Sequence, residues 1–229
     1  IIGGGQLARM MAEPAAALAL PLRLLAEDDS VCATQVTVDH QVGDYRDLEA
    51  LFRVTQDCAV VTFDHEHVPT EHLVALEARL AVRPGPHALI YAQDKGRMRK
   101  RLGELGIPCP RNAIVESLDE VQAFGFPCVL KTTKGGYDGK GMWIVRDRAD
   151  ARSVVDAPAV NGATLLAEEL VDFRRELSAL IARSPSGQVA AWPVVQTTQR
   201  DSICHEVIAP APDLDPDLGD RALQIAMTI

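Results

Sequence analysis

Lys134-Gly135-Gly136-Tyr137-Asp138-Gly139-Lys140-Gly141 places four glycines and two lysines within eight residues. Glycine leaves backbone N–H groups unshielded and allows tight turns, so such a run can fold over a polyphosphate and hold it by its amides. Lys131, just upstream, would add a compact positive charge to the same phosphates. The run is not a Walker A loop, because Lys140 is followed by Gly141 and not by Ser or Thr, and it lacks the third glycine spacing of a kinase loop. The alternative is an exposed hairpin with glycines at its tight turns. That alternative gives no reason for Lys131, Lys134 and Lys140 to bracket the glycines in a chain of net charge −9. Further on, an apolar stretch ends at Glu168 and Glu169, and Glu176 follows. A carboxylate can accept from both vicinal hydroxyls of a ribose, and strand-end backbone groups can read an adenine edge. Together these segments make a nucleotide site with a phosphate end and a sugar end.

A second glycine cluster, Gly3-Gly4-Gly5-Gln6-Leu7-Ala8, fits G-x-G-x-x-A, with acidic Glu27, Asp28 and Asp29 about 20 residues on. Two readings stand. It is a dinucleotide fingerprint, with phosphate on the helix N-terminus. Otherwise it is a β–α turn whose glycines let the helix pack close, or bind another phosphate ligand.

The elements that must hold these residues follow from periodicity. Residues 6–19 have helical spacing, 23–26 form a short strand, 44–54 and 70–80 are helical, and 59–63 is a β-branched run suited to a buried parallel strand. Alternation of this kind implies a parallel sheet with helices on both faces. Arg83-Pro84-Gly85-Pro86 is a turn-rich boundary. Beyond it, 93–105 is a basic helix, and Ser117-Leu118-Asp119-Glu120 is a capping box opening a short helix. Residues 127–132 and 142–145 are strands joined by the glycine-rich run; 164–171, 176–182 and 189–195 are further strands, and a helix follows Pro216. The fold class is therefore α/β, passing into α+β.

Composition narrows the setting. The hydrophobic share is 47% and the charged share 24%, ordinary for a globular protein, and the acidic balance argues against duplex nucleic acid as a partner. Five cysteines, an odd number with no C-x-x-C pair, fit neither a zinc knuckle nor a disulfide framework and point to a reducing cytoplasm. No stretch is long and apolar enough for a membrane span. The first residues, Ile1-Ile2, read as the tail of a strand and the last ten as a helix cut before its cap, so both ends read as truncated. His65, His67 and His72 are better placed for a pocket rim or a surface loop than for a metal site. Along the basic helix, Arg97, Arg99, Lys100 and Arg101 read as a solvated face, and Trp143 and Trp192 read as core.

The chain resembles the N5-carboxyaminoimidazole ribonucleotide synthetase family of the ATP-grasp superfamily. The resemblance is carried by Gly3-Gly4-Gly5-Gln6-Leu7, by Gly135-Gly136-Tyr137-Asp138-Gly139-Lys140-Gly141, and by Glu168-Glu169-Leu170-Val171 followed by Glu176. It implies a Rossmann-like pre-ATP-grasp domain over residues 1–86, an ATP-grasp small subdomain with its glycine-rich lid over 87–162, and the start of the ATP-grasp C-terminal subdomain over 163–229. It implies a ligase that uses ATP, Mg²⁺, bicarbonate and aminoimidazole ribonucleotide, works in the cytoplasm on small molecules, and forms a homodimer. Carried over residue by residue, Lys95 and Lys131 are the two cationic ATP positions and Gly136–Met142 the lid. Glu168, Glu169, Leu170 and Val171 make the adenine hinge, with Glu176 at the ribose and Gln199 near the nucleotide. Tyr137 and Asp138 face the imidazole substrate, Lys140 is a further basic position, and Lys131, Tyr137, Asp138 and Lys140 form the catalytic set. Gly5, Gln6, Leu7 and Glu66 fall in the substrate pocket, with Asp64 as the alternative to Glu66. Gln199 replaces a common His and Met142 a common Gln. The metal ligands are expected beyond Ile229, so this chain alone is expected not to turn over. The competing readings are a Rossmann oxidoreductase using NAD, another ATP-grasp ligase, and a non-catalytic nucleotide-binding fragment.

Overall fold

The computed structural model describes residues 1–136, 140–160 and 162–229. Its contacts divide the chain into two units, Ile1–Gln93 and Asp94–Ile229.

The first unit runs α1 (Gln6–Ala17), β1 (Leu24–Ala26), β2 (His40–Val42), α2 (Leu48–Val54), β3 (Val60–Val61), α3 (Thr70–Glu77), β4 (Ala81–Val82) and α4 (Pro86–Gln93). β1 pairs with β2 and β3 with β4, both in parallel, and Ile2 bridges to Leu25 and Phe63 in the same sense. The order β2–β1–Ile2–β3–β4 is the expected parallel sheet. Neighbouring residues of a strand point to opposite faces. Leu25, Ile2, Val61 and Val82 pack with Leu51, Leu73 and Leu76, while Leu24 packs with Ala8 and Ala33 on the other side. Helical residues therefore cover both faces. The run 59–63 is less buried than its composition suggested: only Val60–Val61 form a strand, and Val60 is exposed. The helix α4 was not foreseen. Its last residue anchors it, since the Gln93 amide donates to the carbonyls of Glu66 and Val68, each at 2.8 Å.

The second unit begins with α5 (Lys95–Glu104), β5 (Asn112–Val115), α6 (Leu118–Phe124), β6 (Cys128–Thr132), β7 (Met142–Val145), α7 (Arg148–Val155) and β8 (Leu165–Glu169). Its four-stranded sheet has the order β5–β8–β6–β7 and is antiparallel throughout. One face carries Val115, Cys128, Leu130, Val145, Leu165 and Ala167 into a core with Val121 of α6 and with Ala151 and Val154 of α7. Ser117 caps α6 as expected, its hydroxyl accepting from the Glu120 N–H. Glu120 reaches back to the Glu116 N–H, so the box closes one residue earlier than the motif implies.

The remainder comprises β9 (Glu176–Ser178), β10 (Ile181–Arg183), β11 (Val189–Ala191), β12 (Val195–Arg200), β13 (Ile203–Ile208) and α8 (Pro216–Thr228). The stretch 176–182, read as one strand, is two: β9 pairs with β12 and β10 with β11. Residues 189–195 likewise divide at Trp192-Pro193, because proline cannot donate to a ladder. Trp192 is 54% exposed and is not core, whereas Trp143 packs against the second-unit core. Among the described residues no helix is long and apolar enough to cross a membrane, and all five cysteines are free.

Candidate functional site

The four-stranded sheet has two chemically different faces. While Leu130 and Ala167 enter the core, the alternate residues Lys131, Met142, Leu166 and Glu168 point to the opposite face. There α5 meets the sheet. Asp94 caps α5 by accepting from the Arg97 N–H, and the Lys95 N–H donates to the Thr133 carbonyl at 2.8 Å. At Gly96 a Cβ would stand 2.9 Å from Ile114 Cδ1, so glycine lets the helix start close to β5.

Between α5, the sheet and the neck of the glycine-rich hairpin lies a cavity of about 270 Å³. It is lined by Lys95, Met98 and Arg99 from α5, Lys131, Leu166 and Glu168 from the sheet, Gly136, Lys140, Gly141 and Met142 at the hairpin, and Ser202. The structure thus brings together Lys95, Lys131, Gly136, Lys140, Gly141, Met142 and Glu168 from the sequence-derived set. Lys95 Nζ donates to the Gly135 carbonyl at 2.6 Å, tying the helix to the hairpin. At the floor, the Glu168 carboxylate is 3% exposed and shared between two cations: Lys131 Nζ at 2.5 Å and the Arg99 guanidinium. Burial alone would raise the Glu168 carboxyl, but hydrogen bonds from Arg99 and Lys131 outweigh it and hold it below the usual carboxylate range.

Arg99 is a correction to the sequence reading. Its helix reads as a solvated face, yet the Arg99 side chain is only 20% exposed and lies against Glu168, 69 residues away. A signal was available: Lys95 and Arg99 are four apart, so they share one face of α5. Met98, Leu166 and Ser202 were also missed.

Other expected residues lie elsewhere. Glu169, Leu170 and Val171 are exposed where β8 ends, Glu176 sits half-buried on β9, and Gln199 is exposed on β12; none of the five lines the cavity. Tyr137, Asp138 and Gly139 lie outside the described residues. Gly5, Gln6 and Leu7 form the start of α1, and Glu66 follows β3, all in the first unit.

The hairpin neck depends on its glycines. Gly136 and Gly141 have φ of +78° and +73°. A Cβ on Gly136 would lie 2.6 Å from the Lys140 carbonyl oxygen, and one on Gly141 would lie 2.6 Å from Thr132 Oγ1. The neck is closed by the Thr132 N–H donating to the Gly141 carbonyl at 2.9 Å. Gly141→Ala is therefore expected to cost about 1–3 kcal/mol in a urea melt, from the left-handed backbone and the crowded Thr132 hydroxyl. A melt matching the parent protein would mean that the neck does not need this conformation.

The first glycine cluster has a different role from a dinucleotide fingerprint. The Gly4 N–H donates to the Glu27 carboxylate at 3.2 Å and the Gly5 N–H to Asp64 at 2.7 Å. A pyrophosphate there would face two carboxylates already holding the amides. The glycines are required by close packing, since a Cβ on Gly3 would lie 1.6 Å from Asp64 Oδ1 and one on Gly4 2.4 Å from Val31 Cγ2. Nearby, His65 stacks on His67 with ring centroids 5.3 Å apart, and burial lowers its pKa. Among the described residues no group of three or more His, Cys, Asp or Glu is placed to hold a metal ion. Glu168, the carboxylate in the cavity, is engaged by Lys131 and Arg99, so the donor set does not fit a magnesium ion.

The sequence that builds this cavity is matched by known protein families. An ATP-grasp domain model matches residues 100–229, and a ribonucleotide synthetase preATP-grasp domain model matches residues 1–93. The chain belongs to the ATP-grasp family. Among curated ATP-grasp relatives, the N5-carboxyaminoimidazole ribonucleotide synthase of Mycobacterium leprae (strain TN) is 49% identical over 100% of this chain and 55% of its own length. The N5-carboxyaminoimidazole ribonucleotide synthetase of Thermus thermophilus superposes with a TM-score of 0.89 at 34% identity, covering 100% of this chain and 63% of that one. The N5-carboxyaminoimidazole synthase of Aspergillus clavatus, solved with ADP and 5-aminoimidazole ribonucleotide, gives a TM-score of 0.88 at 29% identity, covering 99% of this chain and 61% of that one. The chain spans about half the length of the curated relatives it matches. Its two parts are thus a pre-ATP-grasp domain followed by an ATP-grasp domain.

Proposed function

We propose that this chain is part of an ATP-dependent ligase that carboxylates 5-aminoimidazole ribonucleotide with bicarbonate. One observation carries the reading: a cavity floored by Lys131 and walled by Lys95 lies at the neck of the glycine hairpin, in a chain whose whole length aligns with about half of an N5-carboxyaminoimidazole ribonucleotide synthase. The Aspergillus clavatus relative, with ADP and aminoimidazole ribonucleotide bound, supports the substrates.

Bicarbonate is a poor electrophile. An oxygen of bicarbonate attacks the γ-phosphorus of ATP, ADP leaves, and carboxyphosphate forms. The substrate amine then bonds to the carboxyl carbon, phosphate leaves, and the amine gives up a proton. The first step depends mainly on positioning and charge neutralisation. Lys131 and Lys95 supply positive charge at the cavity, and the hairpin amides cover the phosphates. Lys140 stands at the same neck. Carboxyphosphate hydrolyses readily, so the site must exclude water while it exists. Tyr137 and Asp138 are carried over as substrate contacts, as are Gly5, Gln6, Leu7 and Glu66; Glu169, Leu170, Val171, Glu176 and Gln199 are carried over to the adenosine. Magnesium would arrive with the phosphates of ATP. A homodimer is proposed on the family resemblance, and free cysteines suit a reducing cytoplasm.

The test is ADP release by the intact protein with each substrate omitted in turn. ADP formation should require both bicarbonate and aminoimidazole ribonucleotide. Release that is indifferent to the ribonucleotide would reassign the protein to another ATP-grasp activity.

A further inference from the structure

Three charges meet below the cavity. Glu168 offers both oxygens, one to Lys131 Nζ and one to Arg99 Nε, and its side chain is 3% exposed against 24% for Lys131 and 20% for Arg99. They come from three separate elements, β8, β6 and α5. A carboxylate beneath a phosphate pocket is useful and harmful at once. It fixes the direction of the Lys131 ammonium, which keeps two further N–H donors for a ligand. Left alone, it would also repel the phosphates that Lys131 is placed to attract.

The guanidinium resolves the conflict. It is always charged, and its Nε–H occupies the Glu168 oxygen that Lys131 leaves. The three groups then carry one net positive charge. We propose that Arg99 is a positioning residue: it neutralises Glu168, so that the carboxylate can orient Lys131 toward a nucleotide polyphosphate without repelling it. This inference rests on reading the cavity as the nucleotide site. Arg99 acts through Glu168 and need not touch the nucleotide.

A double-mutant cycle in the intact protein tests it, with ADP titrated by calorimetry. Glu168→Gln keeps an acceptor for Lys131 while removing the negative charge, and its own ADP affinity is the reference against which the second substitution is read. Arg99→Met leaves the Glu168 charge uncompensated and should weaken ADP binding about 10- to 100-fold. Arg99→Lys should restore most of that loss. In the double variant, removing Arg99 from the Glu168→Gln background should change affinity no more than about threefold. An equal Arg99→Met penalty in both backgrounds would make Arg99 a direct phosphate ligand and overturn the proposal. A lower melting temperature with unchanged ADP affinity would make it merely structural. If Arg99→Met alone does not fold, the charge-balanced double variant decides: ADP binding within about threefold of Glu168→Gln supports the proposal, and a tenfold loss overturns it. A parent protein that does not bind ADP would instead strike down the nucleotide site itself.

Discussion

Lys131→Ala should lower the rate of ADP formation by the intact protein by about 10²- to 10³-fold, and Lys131→Gln by nearly as much. The reasoning starts from the reaction. In phosphoryl transfer the protein does little covalent chemistry and mostly aligns and neutralises charge, so a preorganised cation contributes directly to rate. Lys131 is held at 2.5 Å from Glu168 and borders the cavity, so little reorganisation is needed when phosphates arrive. The substitution has a second effect, because Glu168 then faces the phosphates with Arg99 as its remaining partner. Lys131→Gln separates the two effects, since its amide can still donate to Glu168. The measurement is coupled ADP release at saturating substrates, with a thermal melt to confirm folding. A folded variant within threefold of the parent would remove Lys131 from the phosphates.

Glu168→Leu should produce the largest loss of stability. It leaves Lys131 and Arg99, each about three-quarters buried, facing one another without a counter-ion. Breaking a buried ion pair by removing one partner costs about 3–5 kcal/mol. Glu168→Gln should cost less. The pH dependence gives an independent check. The Glu168 carboxyl is held below its unfolded value in the folded chain, because its two cations outweigh its burial. The unfolded chain therefore binds more protons in the acid range, and stability rises with pH there. The contribution is complete above the unfolded value of about 4.3 and is lost as pH falls through the lower folded value. The difference in melting temperature between the parent and Glu168→Gln should thus be widest near neutrality and shrink below about pH 4. A difference independent of pH would show that Glu168 is not ionised in the folded chain.

Much of the architecture was legible because it is local. The Ser117 cap, the strand at Met142–Val145 and the alternation of the first unit depend on residues one to four positions apart. Glycine needs such as those at Gly136 and Gly141 also announce themselves by clustering, as does the lysine bracket around them. The short strands β2, β4, β5 and β13 and the helices α4 and α7 were not legible. Each has two to eight residues, and periodicity over so few residues is ambiguous.

The sequence alone determined that a glycine hairpin with flanking lysines would join two strands, and that Lys131 would stand beside it. Local backbone preference and strand alternation suffice for that. Only the tertiary structure decided where the carboxylates go. Glu27 and Asp64 hold the amides of Gly4 and Gly5, which turns an apparent dinucleotide motif into a packed turn. Glu168 closes on Lys131 and on Arg99, which no spacing in the chain could pair. Those contacts depend on the antiparallel register of β6 with β8 and on how closely α5 approaches the sheet at Gly96. Both are set by packing between segments far apart in the chain, and it is there that the net charge of the site is fixed.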